Sequence, residues 1–277
     1  MVSLARLVVA TARAVVPALL LALVAVWAAL RTLNAPATVP NDAAWQQAGS
    51  YVRSQFRPGD LIVFAPAWID PVGRAQLGDL IPLATAGRLD AARFPTIWHV
   101  AIRHAMHPDV AQLVATSSPG PQAFAGVVVT RFDQPPVTVT ADATNLLSSA
   151  TVTGAIARSA TVEFTEVGFT PHRCVQVVPQ PNGSVRVTFP AFVLGTQLVV
   201  GVGLADIFTR RDSRQPGKLS VEIAGSIVAE TQFGVDGGWV KIQAVTTPGP
   251  ADVTFIATAV GEKSRDRLIC FAAEARR

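Results

Sequence analysis

Residues Ala14 to Leu30 (AVVPALLLALVAVWAAL) form an unbroken apolar run, with Arg6 and Arg13 before it and Arg31 behind it. A run of that length must cross a bilayer, leave with a cleaved leader, or be buried as core. A bilayer core needs about 20 apolar residues in a helix. Leu7–Ala12 (LVVATA) supplies the remainder if Arg13 snorkels to the headgroups. Trp27 stands near the far end, where an aromatic belt falls. The basic residues and the free amine lie on the N-terminal side, which puts that end in the cytoplasm and the rest of the chain outside. Residues 1–33 are therefore expected to be an uncleaved signal anchor. The expected location is the inner (cytoplasmic) membrane, single-pass, with the C-terminal domains extracytoplasmic. A cleaved leader is the rival, with Ala35-Pro36-Ala37 as its small-residue site. Against it, the run exceeds the usual h-region of about 7–15 residues. A buried core helix is the third alternative.

The chain beyond the anchor is long enough for two ordinary domains. It is rich in alanine and valine, and arginine far outnumbers lysine, a composition typical of a high-GC bacterial genome. The net charge is +4, but the arginines are scattered and no basic patch is interleaved with aromatics. A solvated surface explains that charge, and no nucleic-acid partner is expected. Cys174 and Cys270 form an even pair in an exported chain, which suggests one disulfide; two separate buried thiols are the alternative.

After a short linker over 34–40, Asn41 reads as an N-cap. Trp45, Ala48, Tyr51, Val52 and Phe56 recur at helical spacing, so 42–56 is expected to be an amphipathic helix. Pro58-Gly59-Asp60 is a turn, and Leu61–Phe64 has the continuous apolar character of a strand buried on both faces. Thr96–Ile102 and Phe124–Phe132 read as further strands, with helical turns within 74–83, 89–94 and 109–115. That alternation predicts a small, mostly parallel, three-layer α/β (Rossmann-like) lobe over 41–134. From Pro136 onward the pattern changes to short strands that alternate apolar and polar residues, as in V-R-V-T-F at 185–189 and L-S-V-E-I at 219–223. Turn signals such as Pro181-Asn182-Gly183 separate them. Residues 135–277 are therefore expected to form an antiparallel β-sandwich of jelly-roll type. The fold class is α/β plus all-β behind a transmembrane helix.

Two partial resemblances accompany this reading. The stretches PGDLIVFAP (58–66), FPTIWHVAI (94–102) and VVVTRF (127–132) make the first half similar to the extracytoplasmic tail of multi-spanning bacterial glycosyltransferases of the protein-mannosyltransferase type. That resemblance implies an exported lobe linked to envelope glycan assembly, without the multi-spanning part that houses the chemistry. KLSVEIAGSIVAE (218–230) and GWVKIQAVTTPGPADVTFIATA (238–259) make the second half resemble galactose-binding-like jelly-roll modules. That resemblance implies a sandwich that binds carbohydrate or a protein partner, and it transfers no ligand residue.

The candidate residues fall in three groups. Trp68, Asp70 and Arg74 follow a buried strand, where α/β sheets place ligands. The indole would stack on a sugar face, and the charged pair would bond hydroxyls or a phosphate. The competing structural role is a turn packed by Trp68, with Asp70 capping the next helix. Asp206, Arg210, Arg211, Asp212 and Arg214 crowd one loop between sandwich strands, a common place for ligand contacts; mutual pairing or solvation is the alternative. His99, His104 and His107 invite a metal reading, but His99 and His104 would point to opposite sides of a strand, and no metal is expected.

No G-x-S-x-G elbow, Walker loop or G-x-G-x-x-G after a strand occurs, and no cofactor is expected. These features favour a non-catalytic, membrane-anchored, extracytoplasmic envelope protein that binds glycan or a partner protein. One alternative is a glycan-acting enzyme, a glycoside hydrolase or a transferase accessory subunit, with a site between the lobes. The other is a structural or assembly scaffold for a multi-spanning glycosyltransferase, a membrane-protein partner.

Overall fold

A computed structural model describes residues 4–34, 39–111, 113, 120–205, 215–261 and 267–277. Helix α1 (Leu4–Asn34) carries the apolar run. Its window Val16–Leu33 buries none of its residues against the rest of the chain, which removes the core-helix alternative.

The small lobe is built on a four-stranded sheet: β1 (Leu61–Ala65), β2 (Thr96–Ile102), β3 (Gln122–Phe124) and β4 (Val127–Asp133), in the order β1-β2-β4-β3. Helices α2 (Asp42–Gln55) and α3 (Asp70–Leu77) pack on one face. Asn41 caps α2 by accepting the Ala44 N–H at 2.9 Å, and Trp45, Ala48 and Val52 meet Ile62, Phe64, Trp98 and Val100. The other face is covered by irregular chain: Ala91 and Phe94, with Val110 from the turn Pro108–Ala111, pack on Leu61, Val63 and Ile97. The expected helical turn at 89–94 is replaced by a non-helical turn, in which the Phe94 N–H donates to the Ala91 carbonyl at 3.1 Å, and the segment packs between the small sheet and the sandwich.

The three-layer, mostly parallel expectation is corrected here. Only β1 and β2 run parallel; β2–β4 and β4–β3 are antiparallel. At the turn Ala125-Gly126 both residues have positive φ (42° and 98°) and fold β3 back onto β4 as a tight hairpin, which makes that pair antiparallel. A Rossmann-like sheet needs a crossover at that point.

The sandwich comprises two sheets. The first is ordered β13 (Val240–Val245), β10 (Gln197–Leu204), β15 (Ile269–Arg276), β8 (Thr170–Pro179), β7 (Ile156–Val167), with β5 (Val139–Asp142) also paired to β15. The second is ordered β12 (Ser226–Phe233), β11 (Gly217–Ile223), β14 (Gly249–Ala259), β9 (Ser184–Leu194), β6 (Thr151–Gly154). All their pairings are antiparallel. Phe189, Phe192, Leu219, Val221 and Phe255 of the second sheet meet Val175, Val177, Leu198, Val200 and Phe271 of the first. Each such fully buried side chain contributes about 1.5–3 kcal/mol.

The lobes meet along the outer face of the first sheet. Leu89 packs among Val199, Ala272 and Trp239. The Trp239 indole N–H donates to the Leu89 carbonyl at 3.3 Å, and the Arg173 N–H to the Gly87 carbonyl at 2.8 Å. Arg276 donates to both oxygens of Asp90 at 2.9 and 3.0 Å and to Glu274 at 2.8 Å. Arg93 stands 3.5 Å from the other Glu274 oxygen.

Candidate functional site

The carboxyl end of the small sheet gathers part of what the sequence pointed to. β1 ends at Ala65 and a 3-10 turn, Ala67–Ile69, lifts Trp68 into solvent. Asp70 opens α3 and pairs with Arg74 one turn later. The N-cap of α3 is Ile69, which offers no side-chain cap, so Asp70 does not play the capping role. Arg103, the first residue past β2, reaches over the indole, 5.6 Å from its centroid. Sequence reasoning missed Arg103; its place directly after a buried strand, level with the end of β1, was the available signal.

The histidines do not converge. His99 is buried in β2 and accepts the His107 N–H on Nε2 at 3.2 Å, while His107 accepts the Asp109 N–H on Nδ1 at 3.1 Å. His104 lies in the exposed turn after β2. Burial, with His107 nearby, lowers the His99 pKa to about 4. Burial also lowers that of His107. Burial opposes ionisation of Asp109, but Arg88 at 2.7 Å outweighs it and holds the carboxyl below its usual range.

The described residues of the seam between the lobes are joined by ring stacking, hydrogen bonds and ion pairs. His172 stacks on Trp239 at 4.0 Å and 9°, bonds the Arg88 carbonyl at 3.2 Å and faces the Thr170 hydroxyl at 3.0 Å. Burial depresses its pKa to about 4. Glu274 is the carboxylic acid here with a raised pKa; burial drives the rise, against Arg276 and Arg93, which enclose it. A glycan-cleaving site between the lobes would need an accessible pair of carboxylates, and this acid is sealed by arginine.

Cys174 and Cys270 are bonded, with Cα atoms 5.5 Å apart, on the adjacent strands β8 and β15. Asp206, Arg210, Arg211, Asp212 and Arg214 lie outside the described residues. The ends of their segment are fixed: the Ala205 N–H donates to the Leu268 carbonyl at 2.8 Å, and buried Arg267 bonds Gln215 and the Val260 carbonyl.

A concavity that the sequence did not announce lies at one end of the sandwich. The connection Thr246–Pro248, the last turn of β9 at Leu194, the β14 start Gly249–Ala251 and the β11–β12 hairpin at Ile223 and Val228 enclose a groove of about 390 Å3. Val245 on its rim is 92% exposed. Thr246 holds the floor by donating to the Gly195 carbonyl at 2.8 Å while its N–H bonds the Thr196 carbonyl. Register slips in β11–β12 after Val221 and in β14–β9 after Ala251 turn these strand ends apart. The sequence signal was the T-T-P-G-P run at 246–250, where Pro248 falls between β13 and β14 and Pro250 stands at the second position of β14.

Architecture defines this as a two-lobed protein dominated by a β-sandwich. No family model matches the chain, and no curated protein matches it. Solved structures similar to it are carbohydrate-binding-module sandwiches. The CBM51-2 module in complex with GlcNAc, with INT domains, of ZmpB from Clostridium perfringens aligns at 11% identity with TM-score 0.36, over 64% of this chain and 40% of that one. The M60 catalytic domain with CBM51-1 and CBM51-2 of the same protein aligns at 9% and 0.39, over 58% and 19%. The CBM51 module of a Clostridium perfringens GH95 protein, in complex with methyl-galactose, aligns at 8% and 0.34, over 50% and 100%. The chain thus spans less than half the length of the two ZmpB structures. The likeness assigns no residue a role, and the mannosyltransferase-tail resemblance of the first half has no counterpart among these structures.

Proposed function

We propose that this chain is a membrane-anchored, extracytoplasmic protein that binds glycan through its β-sandwich without turning it over. The observation that carries the reading is the groove at the sandwich end. Its volume, about 390 Å3, falls in the range of small-ligand pockets. Aliphatic side chains of Val245, Ile223 and Val228 supply surface for the C–H face of a sugar, and Thr246 and Thr247 supply hydroxyls beside it. The wholly unburied α1 window, with its N-terminal arginines, supports the anchor. The Cys174–Cys270 bond supports an oxidising compartment outside the cytoplasm.

The test is a glycan screen on the detergent-solubilised full chain, followed by Val245→Arg and Trp68→Ala. Saturable binding that falls at least about tenfold in Val245→Arg, a loss of ~1.4 kcal/mol, supports the groove. Loss in Trp68→Ala alone would move the site to the small lobe. Released product in the screen would overturn the non-catalytic reading.

A further inference from the structure

The Trp68 surface lies at the end of the small lobe where the anchor enters. β1 and β2 run parallel, with Ala65 level with Ala101, so both carboxyl ends lie together. Ile102 at the end of β2 pairs with Val127, which places the Ala125-Gly126 turn at the same end. Pro40 is seated against that turn: a Cβ built on Gly126 would come 3.3 Å from Pro40 Cγ. Only residues 35–38 separate α1 from Val39. Five extended steps from Asn34 to Val39 span at most about 18 Å. If Asn34 marks the outer edge of a spanning helix, covalent reach alone keeps this end of the lobe close to the headgroup layer.

The side chains there have the character of that layer. Trp68 is 60% exposed, Met106 and Val39 56%, and Val72 44%. An isolated exposed apolar residue is ordinary, but a tryptophan grouped with aliphatic side chains at one end of a lobe marks an interaction surface. Tryptophan favours the membrane interface because its ring is apolar and its N–H polar. Arg103 lies over the indole and has no carboxylate partner among the described residues. Arginine suits phosphate oxygens, and an anionic bilayer surface attracts it.

We infer that the carboxyl end of the small sheet is a bilayer-docking surface. Trp68, Met106, Val72 and Val39 enter the interfacial layer of the membrane that α1 spans, and Arg103 meets anionic headgroup phosphates. Docking sets the small lobe down on the lipid and assigns Trp68 to the bilayer in place of a sugar. The inference rests on the anchor reading of α1.

The experiment keeps the two apart. The full chain is reconstituted in vesicles of phosphatidylcholine alone and of phosphatidylcholine mixed with phosphatidylglycerol. Spin labels are placed singly at Val24→Cys in α1, Met106→Cys at the docking surface and Val245→Cys on the sandwich; the native cysteines are bonded to each other. Accessibility to lipid-soluble oxygen and to a water-soluble nickel complex is read for each. The expected result is a Val24 label in hydrocarbon, a Met106 label shielded from nickel most strongly with phosphatidylglycerol, and a Val245 label in water. Arg103→Ala should lower the docked-to-undocked ratio about fivefold in the mixed vesicles and leave the Val24 label unchanged. A Val24 label in lipid with a Met106 label as wet as Val245 would overturn docking and leave the anchor standing. A Val24 label in water would overturn both.

Discussion

The two sheets of the sandwich solve the same packing problem in opposite ways. In the second sheet, β11 alternates Leu219 and Val221 inward with Lys218 and Glu222 outward. Its outer face is held by polar pairs: Ser184 with Thr258 and Thr188 with Thr254, both at 2.9 Å, and Arg186 reaching across β14 to Glu222. In the first sheet, β15 is buried at all eight positions, Ile269 to Arg276. Its odd residues, such as Phe271 and Ala273, face the sandwich core; Cys270, Ala272, Glu274 and Arg276 face the disulfide cluster and the small lobe. A solvated face needs only polar residues at alternate positions. A face covered by another lobe needs small residues where the partner inserts, as Ala272 does for Leu89, and a partner for every buried charge.

Four perturbations would break or sharpen that contrast. The largest falls on the doubly covered sheet: the Cys174→Ala/Cys270→Ala double variant removes a cross-link between residues 96 apart. Chain entropy predicts a loss of about 4–5 kcal/mol, read by denaturant unfolding against the oxidised, disulfide-bonded wild type. Next is Arg276→Ala, which strands Asp90 and Glu274 in the seam. Removing one partner of a buried pair costs about 3–5 kcal/mol; a melting point equal to wild type would mean the seam is solvated.

The third concerns pH. His172 titrates at about 4 when folded and near the ordinary 6.5 when unfolded. Below 6.5 the unfolded chain therefore takes up a proton that the folded chain refuses, and stability falls as pH drops from 6.5 towards 4. His99 acts in the same direction over the same window. Glu274, whose pKa is raised, works against them, because its folded form holds a proton more readily. His172→Phe keeps a ring against Trp239 and should flatten the stability-against-pH curve between 6.5 and 4 by a few kcal/mol. An unchanged slope would show that the seam opens before His172 protonates. The smallest effect belongs to the solvated sheet: Arg186→Ala should cost only about 0.2–1 kcal/mol by the same unfolding assay. A loss as large as that of Arg276→Ala would erase the distinction between the sheets.

Legibility follows the same contrast. Strands of the second sheet announce themselves, since V-R-V-T-F and L-S-V-E-I record water on one side and core on the other; β9 and β11 occupy those positions. The short edge strand β6, T-V-T-G, carries too little pattern to be read. In β15 the end A-E-A-R looks like a frayed, charged terminus. The strand continues to Arg276 because β10 and β5 pair with it there, and Arg276 meets Asp90, 186 residues away. In the candidate site, Trp68 and the Asp70–Arg74 pair were legible from the strand before them. Arg103 and the groove were not, because each depends on segments brought level by strand register.

The sequence by itself determined the exposed apolar helix, the capped α2, the buried strands β1 and β2 and the alternation that builds a sandwich. All of these follow from local periodicity and from the preference of each side chain for water or apolar surroundings. Tertiary structure alone decided the direction of β4 in the sheet, set by its antiparallel pairing with β2. It decided that the central strands of one sheet of the sandwich are covered on both faces, and it placed Trp68 and Arg103 together at the carboxyl end of the small sheet. Those outcomes depend on contacts between residues far apart in the chain, and local pattern holds no record of which distant surface arrives.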